Sequence, residues 1–399
     1  MRRNLSSLFL AAGLLAASAS AMAQIAEQAP ASQPAARTSR ITLNLEGATA
    51  EDAFDQIAKQ AGVDLIVDNP SIWAQADLVF INVKDAAFWP TFMQLCQQSR
   101  ISFDQNYNRS GIGGGRAIHL TNSRNGESPY AKLPSAEADG FMVFAQSAAR
   151  NYSISYDNPQ NSTSSFAVQL MVLADPATPL QQMQQPTVTE AVDENGISLL
   201  PLPTDRNRDR NNFYGGNGRT ESLAQQAAIS LNYPANGGKK IAKIKGYLRG
   251  TAVTKVEQIE IADVMAMKEP LKKGFGEYDM TLYPTKAVGN ANDANNKNKR
   301  YEFRLSLRKK EKPQGAGGIR RENRDYNNLV SGMVVTDAEG RRYNSNVNNI
   351  NNSETGMEYT MQLSPQQQGI GAPQKLSWRM AAETKEIRVP FELKDMQIP

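Results

Sequence analysis

The sequence predicts an α+β protein, in which a small N-terminal βαβ-repeat domain precedes two mainly antiparallel β-sandwich domains. Three observations predict this arrangement. Residues 41–121 contain one strand–helix–strand pattern written twice. From about residue 140 onward, short strands of alternating apolar and polar residues replace the helical patterns. These strands form a second, fainter repeat, which predicts that the β-rich part consists of two related halves.

The first repeat is visible when the sequence is shifted by 38 positions, which places Phe54 on Phe92. In the first copy, Thr49 is a predicted N-cap and Gly62 a predicted helix end. In the second copy, Pro90 falls in the first helical turn, where its missing N–H has little effect. After the second copy, residues 101–107 and 117–121 predict a hairpin whose Gly-rich tip is residues 111–115. We therefore predict one domain at residues 41–125.

This doublet resembles the short N-terminal domain shared by secretins and TonB-dependent receptors. The resemblance rests on the pattern xLNLEGxTxEDAFDQIAKQAGV, which ends at Val63, and on its echo at residues 81–101; it covers about 80 of the 399 residues. In that family the domain lies in the periplasm and contacts other proteins, so the resemblance implies the same here. The rest of the chain lacks long amphipathic barrel strands and a secretin pore-forming region. A pore or receptor function is therefore not implied.

The second half of the chain reads as two-faced strands. In the segments 301–308 and 387–394, apolar residues alternate with polar ones, so each strand has one face for a core and one for water. Antiparallel sheets of this kind pack as immunoglobulin-like sandwiches. We predict one sandwich at residues 138–266 and another at residues 267–399.

Five pairs of segments support a duplication of this β-rich part. They keep their order at offsets of about 130 to 144 positions and include Tyr247 with Trp378 and the turn at Asp193 with the turn at Asp337. We expect 260–265 and 392–396 to be equivalent terminal strands, with Ile261 and Leu393 each pointing into the core of its own sandwich. The alternative is chance likeness among amphipathic strands.

The N-terminus has the features of an export signal. Arg2 and Arg3 precede an apolar run at residues 8–17, and an A-x-A-like cleavage site ends at Ala23. We predict a signal peptide at 1–23, followed by a disordered tether at 24–40 that is rich in Ala, Gln, Ser and Pro. A single uncleaved anchor helix is the alternative. After cleavage we expect a soluble periplasmic or secreted protein that does not span the membrane.

Composition and motifs predict no catalytic residue, cofactor or metal. The basic residues are mixed with acidic ones at a formal net charge of +4, which argues against a nucleic-acid partner. The lone His119 has no second histidine to form a metal or catalytic pair, and Cys96 lies on the apolar face of its helix. The Gly-rich segment at 111–116 lacks a phosphate-loop ending, and the Asn-rich run at 290–296 lacks calcium-loop spacing.

These observations favour a non-enzymatic, exported cell-envelope protein that acts as a protein-interaction or assembly module with an envelope protein partner. The alternative is a carbohydrate- or cell-wall-binding protein whose β-sandwich faces bind polysaccharide through aromatic rings. Trp378 and Tyr247 are the candidate residues for such a surface, provided that their rings are exposed. An enzyme of unrecognised type is a third possibility, which would require a pocket with paired carboxylates.

Overall fold

A computed structural model shows a chain that is mostly β-sheet, with several antiparallel sheets and little helix. Among the described residues, no helix is both long and apolar enough to cross a membrane. The predicted signal peptide, most of the tether, the Gly-rich tip and the Asn-rich run at 290–296 lie outside the described residues. The structure describes residues 38–67, 69–104, 116–122, 130, 132–158, 163–201, 221–234, 236–275, 278–288, 300–310, 330, 332–353, 356–365 and 369–399.

The N-terminal module contains the doubled unit. The Thr49 hydroxyl accepts a hydrogen bond from the Asp52 N–H at 3.2 Å and so caps the first helix, which ends at Gly62 in the left-handed conformation. The second helix ends at Arg100, also left-handed and 38 positions later. The elements are β1 (Arg40–Ala48), α1 (Ala50–Ala61), β2 (Asp64–Val67), α2 (Ser71–Ala74), β3 (Val79–Ala87), α3 (Phe88–Ser99), β4 (Ile101–Asp104) and β5 (Ala117–Asn122).

The two copies are related by an internal two-fold arrangement. Strands β1 and β3 pair antiparallel, and the pair Asn44–Asn82 joins positions that are equivalent in the two copies. In a second sheet, β5 pairs parallel with β2 and antiparallel with β4. Phe54 and Phe92 are both fully buried, with ring centroids 5.3 Å apart. The shift of 38 positions therefore relates equivalent core positions.

The β-rich part forms three further sheets. Two of them have the strand orders β11-β8-β7-β6 and β18-β19-β16-β14-β13, and the third has the order β10-β12-β20-β17. Two short strands extend these sheets, since β9 pairs with β12 and β15 pairs with β16. The elements are β6 (Ser135–Ala138), β7 (Phe141–Ser153), β8 (Thr163–Leu173), β9 (Leu180–Met183), β10 (Thr187–Asp193), β11 (Ala224–Leu231), β12 (Lys240–Ile261), β13 (Leu271–Phe275), β14 (Tyr278–Leu282), β15 (Lys286–Val288), β16 (Arg300–Lys309), β17 (Met333–Thr336), β18 (Tyr343–Ser353), β19 (Gly356–Pro365) and β20 (Lys375–Gln397).

Strand order shows that the two halves repeat one arrangement. The order β11-β8-β7-β6 corresponds to β19-β16-β14-β13, and β18 is an extra strand beyond β19. The corners also match. Asp193 accepts hydrogen bonds from the N–H groups of Asn195, Ile197 and Gly238, and Asp337 accepts them from those of Glu339, Arg341 and Gly371. The predicted equivalence of these two turns is confirmed.

The closing strands, however, are exchanged between the halves. Strands β12 and β20 are 22 and 23 residues long and pair antiparallel along nearly their whole length. Ile261 is buried in the core beneath β16 and β19, whereas Leu393 is buried in the core beneath β8 and β11. The prediction that each points into the core of its own half is wrong. The pairing of β12 with β20 carries the end of each strand across to the other half, so the two cores share strands and are not separated at residue 266.

We call these cores the middle core and the C-terminal core. The middle core combines β7, β8 and β11 with β9, β10, the first half of β12 and the second half of β20. The C-terminal core combines β14, β16 and β19 with β17, the second half of β12 and the first half of β20. The positive φ angles of Asp263 and Asp395, 132 positions apart, mark the equivalent ends of the two exchanged strands.

The N-terminal module is attached to the middle core through buried contacts. The Trp89 indole N–H donates to the Ala174 carbonyl oxygen at 2.8 Å. The backbone N–H and hydroxyl of Ser39 donate to the Asp175 carboxylate at 2.9 and 2.8 Å. Burial raises the pKa of Asp175, and these donors oppose that effect. Because Phe144 also packs into the N-terminal core, the module and the sheet β11-β8-β7-β6 share an apolar interface.

Candidate interaction surfaces

Trp378 and Tyr247 lie in different environments. Trp378 is 0% exposed and packs in the C-terminal core, so it has no face to offer a sugar. Its ladder partner is Ile259, and the symmetric pair in the other half is Gly246 with Phe391. The offset of 132 positions that relates Asp263 to Asp395 also relates Gly246 to Trp378. Trp378 therefore corresponds to Gly246 and not to Tyr247. A single-residue slip reverses the face of a strand, which explains why one aromatic ring is buried and the other is not.

Tyr247 lies on the outer face of the sheet, half-buried between two arginines. The Arg388 guanidinium carbon lies 3.6 Å from its ring centroid, and that of Arg249 lies 5.2 Å away. Arg249 also donates a hydrogen bond to the phenolic oxygen at 3.1 Å. A hydrogen bond with the Thr187 side chain lowers the pKa of Tyr247, and the two arginines lower it further. The ring is therefore held as part of a cationic cluster and is not a free stacking platform.

Like charges face each other across β12 and β20 on this outer face. Arg249 pairs directly with Arg388, and Lys243 pairs directly with Lys394. The lysines have nearby carboxylates, since Lys243 contacts Glu190 at 2.7 Å and Lys394 contacts Glu392 at 2.8 Å. In the part of the chain that the structure describes, neither Arg249 nor Arg388 forms an ion pair with a carboxylate. We call this group of four cations and Tyr247 the basic face.

The strand β18 is a second candidate surface. It forms one edge of its sheet, pairs only with β19 among the described strands, and carries no charged residue and no proline in its 11 residues. Val347 and Ile350 are 39% and 40% exposed, although they pair with the buried Met361 and Tyr359 and so face the core side. The opposite edge of the same sheet is β13, which carries two lysines. The two edges therefore differ in their protection against pairing with another chain.

Edges of the N-terminal sheet are closed by side chains. The Gln60 amide hydrogen-bonds both the N–H and the C=O of Thr42 at 2.9 Å. Gln98, 38 positions later, accepts from the N–H of Phe80 at 2.8 Å. These contacts occupy backbone groups that an added strand would need.

A third exposed feature is the end of the β7–β8 hairpin. Tyr152, Ile154 and Tyr156 alternate along the chain there, and all three side chains are exposed. Single exposed apolar side chains are common on proteins, but three at one hairpin end form a small apolar patch. The neighbouring residues 159–162 lie outside the described part of the chain.

The residues considered for chemistry are buried. Cys96 lies in the N-terminal core, and burial raises the pKa of its thiol well above the ordinary range. His119 is buried in β5. Within the described ranges, no three His, Cys, Asp or Glu side chains lie close enough to hold a metal ion. The buried carboxylate of Glu221 contacts Arg116 at 3.2 Å and Arg379 at 3.1 Å, and so links the N-terminal module to β20.

Sequence reasoning identified Tyr247 but missed Arg249 and Arg388. The alternation in each strand does place these arginines on the wet face. Their proximity depends on a register that joins residues 139 positions apart, which no local pattern specifies. Three comparisons with known proteins found no match for the chain among protein-family models, curated proteins or solved structures.

Proposed function

We propose that the chain is an exported cell-envelope protein that acts as a non-enzymatic protein-interaction or assembly module. The observation that carries this proposal is the uncharged edge of β18, with Val347 and Ile350 half-exposed beside it. Long edge strands without charges, prolines or covers are templates for pairing with another chain. The finer architecture that we propose is a secretin/TonB-type N-terminal domain joined to two related immunoglobulin-like sandwiches.

Export is supported by the sequence of residues 1–23, which lie outside the described part of the chain. Two arginines, a short apolar run and small residues at Ala21 and Ala23 fit the requirements of a signal peptidase. The resemblance of the doublet to the periplasmic domain of secretins and TonB-dependent receptors supports the same compartment. Intact-mass measurement of the protein from the envelope fraction should give a chain that starts at Gln24; a mass that includes Arg2 and Arg3 would contradict cleavage.

Strand addition at β18 explains the arrangement of its side chains. An added strand would hydrogen-bond the backbone groups along the outer edge of β18, and its core-side residues would cover Val347 and Ile350. The outward residues Asn346 and Asn351 are exposed and carry amides that can hydrogen-bond a polar face. The partner that fits this edge is an extended segment of another envelope protein, apolar on one face and polar on the other.

The test is site-specific photo-crosslinking in cells. A photoreactive residue at Val347 should give one discrete adduct that contains a second envelope protein. The same residue at Val288, which is equally exposed at 39%, is the matched control and should give none. An adduct with the mass of two copies of this chain, or no adduct, would contradict the proposed partner.

A substitution tests the same edge without crosslinking chemistry. Val347→Lys places a charge on the core side of an edge strand, which is a common natural device against strand addition. The adduct from a neighbouring photoreactive position at Ile350 should disappear in this variant and persist in Val288→Lys. Both variants should keep the wild-type far-UV circular dichroism, because both side chains are already half-exposed.

A second candidate function is binding of carbohydrate or cell-wall polymer to a sheet face. The specific observation that favours it is the basic face around Tyr247. The burial of Trp378 removes the planar pair of aromatic rings on which neutral sugars stack. This second function therefore depends on charge and not on aromatic stacking.

A further inference from the structure

We propose that the basic face binds an acidic polysaccharide, with Arg249 and Arg388 holding one of its anionic groups. This inference rests on the second candidate function and is independent of the β18 edge. The first argument is that no ion pair within the described part of the chain accounts for the charges of Arg249 and Arg388. Like charges directly opposite each other in an antiparallel pair are destabilising, and no carboxylate among the described residues pairs with either guanidinium.

The internal duplication supplies a comparison within the same molecule. The 132-position offset places Arg249 on Ala381 and Arg388 on Val256. Ala381 and Val256 face each other in the ladder and form the equivalent pair. The fold therefore accepts an uncharged pair at this position. The charges are a property of one half only, so they are not required by the exchange of the strands.

The geometry indicates what kind of anion fits. Each guanidinium has several N–H donors in a planar fork, which suits a carboxylate or phosphate group. The Lys243–Lys394 pair lies six residues further along the same two strands, which is about 20 Å at the rise of a β-strand. Its lysines pair with Glu190 and Glu392 at partly exposed sites, where such ion pairs contribute little and another anion can replace the carboxylate. One small anion cannot reach both pairs. A linear polymer that carries repeated anionic groups can contact both of them.

Other classes of polyanion fit the face less well. Single-stranded nucleic acid stacks its bases on free aromatic rings, whereas Arg388 covers the ring of Tyr247. Binding of a protein face to a membrane surface is strengthened by apolar side chains that insert beside the cations. The exposed large apolar residues of the described chain lie elsewhere: at Leu78, in β3, in the β7–β8 hairpin, in β15, in β18 and at Met265. A sheet face with two cation pairs, and without an exposed large apolar side chain among the described residues, is suited to a hydrophilic, negatively charged glycan.

The experiment measures binding of the exported protein to polygalacturonate, a linear glycan with one carboxylate on each ring. We expect binding that weakens with added salt and is lost with the methyl-esterified polymer, which keeps the backbone without the charge. The double variant Arg249→Gln/Arg388→Gln should lower the affinity by about tenfold or more, because it removes charge-assisted hydrogen bonds. Lys375→Gln is the charge control, since Lys375 lies in the other half and pairs with Glu260 at 3.0 Å.

Four results would overturn the proposal: no binding to polygalacturonate, equal losses in the double variant and in Lys375→Gln, tighter binding to oligo(dT) or to anionic vesicles, or tighter binding to polyglutamate. The double variant should melt within about 2 °C of wild type, because the relief of the like-charge contact and the loss of both arginine contacts with Tyr247 oppose each other. If it does not fold, Arg388→Lys provides the second test, since it keeps the charge, loses the fork and should still weaken binding. Val347→Lys should bind polygalacturonate normally, which separates this proposal from the one at the β18 edge.

Discussion

The exchange of closing strands makes a prediction about which side chains are energetically coupled. Leu393 and Ile244 are ladder partners, and both are fully buried in the middle core. Leu376 occupies the position equivalent to Ile244 in the other half, but it packs in the C-terminal core. If the strands are exchanged, Leu393 depends on Ile244 and not on Leu376.

The expected loss in the free energy of unfolding follows from the burial of Leu393. Its replacement by alanine in a close-packed core should lower the free energy of unfolding by about 2–5 kcal/mol, through lost transfer free energy and the cavity left behind. The double variant Leu393→Ala/Ile244→Ala should deviate from additivity by about 0.5–3 kcal/mol, because the two side chains share neighbours. Leu393→Ala/Leu376→Ala should be additive within about 0.5 kcal/mol.

Urea unfolding of the full chain, followed by far-UV circular dichroism, measures these free energies. The linear extrapolation requires the same slope for all variants, so a changed slope would show that a variant no longer unfolds in one step. The reasoning is refuted if Leu393 couples to Leu376 and is additive with Ile244. That result would mean that each half closes on its own strand.

Two further predictions concern the N-terminal core and the matched corners. Phe54→Ala and Phe92→Ala should each lower the stability of the N-terminal module by about 3–5 kcal/mol, because both rings are fully buried; unchanged hydrogen exchange in α1 and α3 would show that these rings are not needed. Burial alone would raise the pKa of Asp337, but the N–H groups of Gly371, Arg341 and Glu339 and the Arg341 guanidinium lower it to about 2. Since its unfolded value is about 3.9, its contribution to stability should be complete above about pH 4 and lost as the pH falls towards 2. Asp337→Asn should flatten this part of the pH profile of thermal melting, and an identical profile would contradict the assignment.

Local features of the fold could be predicted from the sequence because their causes are local. The Thr49 cap, the end of α1 at Gly62 and the turns at Asp193 and Asp337 depend on a few neighbouring residues. The repeat of 38 positions is also visible directly in the sequence. The alternation around Ile261 and Leu393 correctly predicts that both are buried.

Local patterns could not predict which of the two cores a buried side chain joins. Alternation states that Leu393 is buried but not against which sheet, since that depends on pairing with a strand about 150 residues away. The assignment of Tyr247 to Trp378 was off by one position, and in a β-strand one position decides between core and solvent. The basic face was missed for the same reason, since its arginines meet only through the register of β12 and β20.

The pairing of Ile244 with Leu393 also has a consequence for the order of folding. These residues are 149 positions apart. The middle core therefore lacks the second half of β20 until the intervening chain has been made. Long-range strand pairing of this kind is slow to form. An incomplete chain therefore presents open strands and unfilled apolar surface, the state in which polypeptides associate wrongly or are held by chaperones. We therefore expect the first half to complete its core only when the second half has been made.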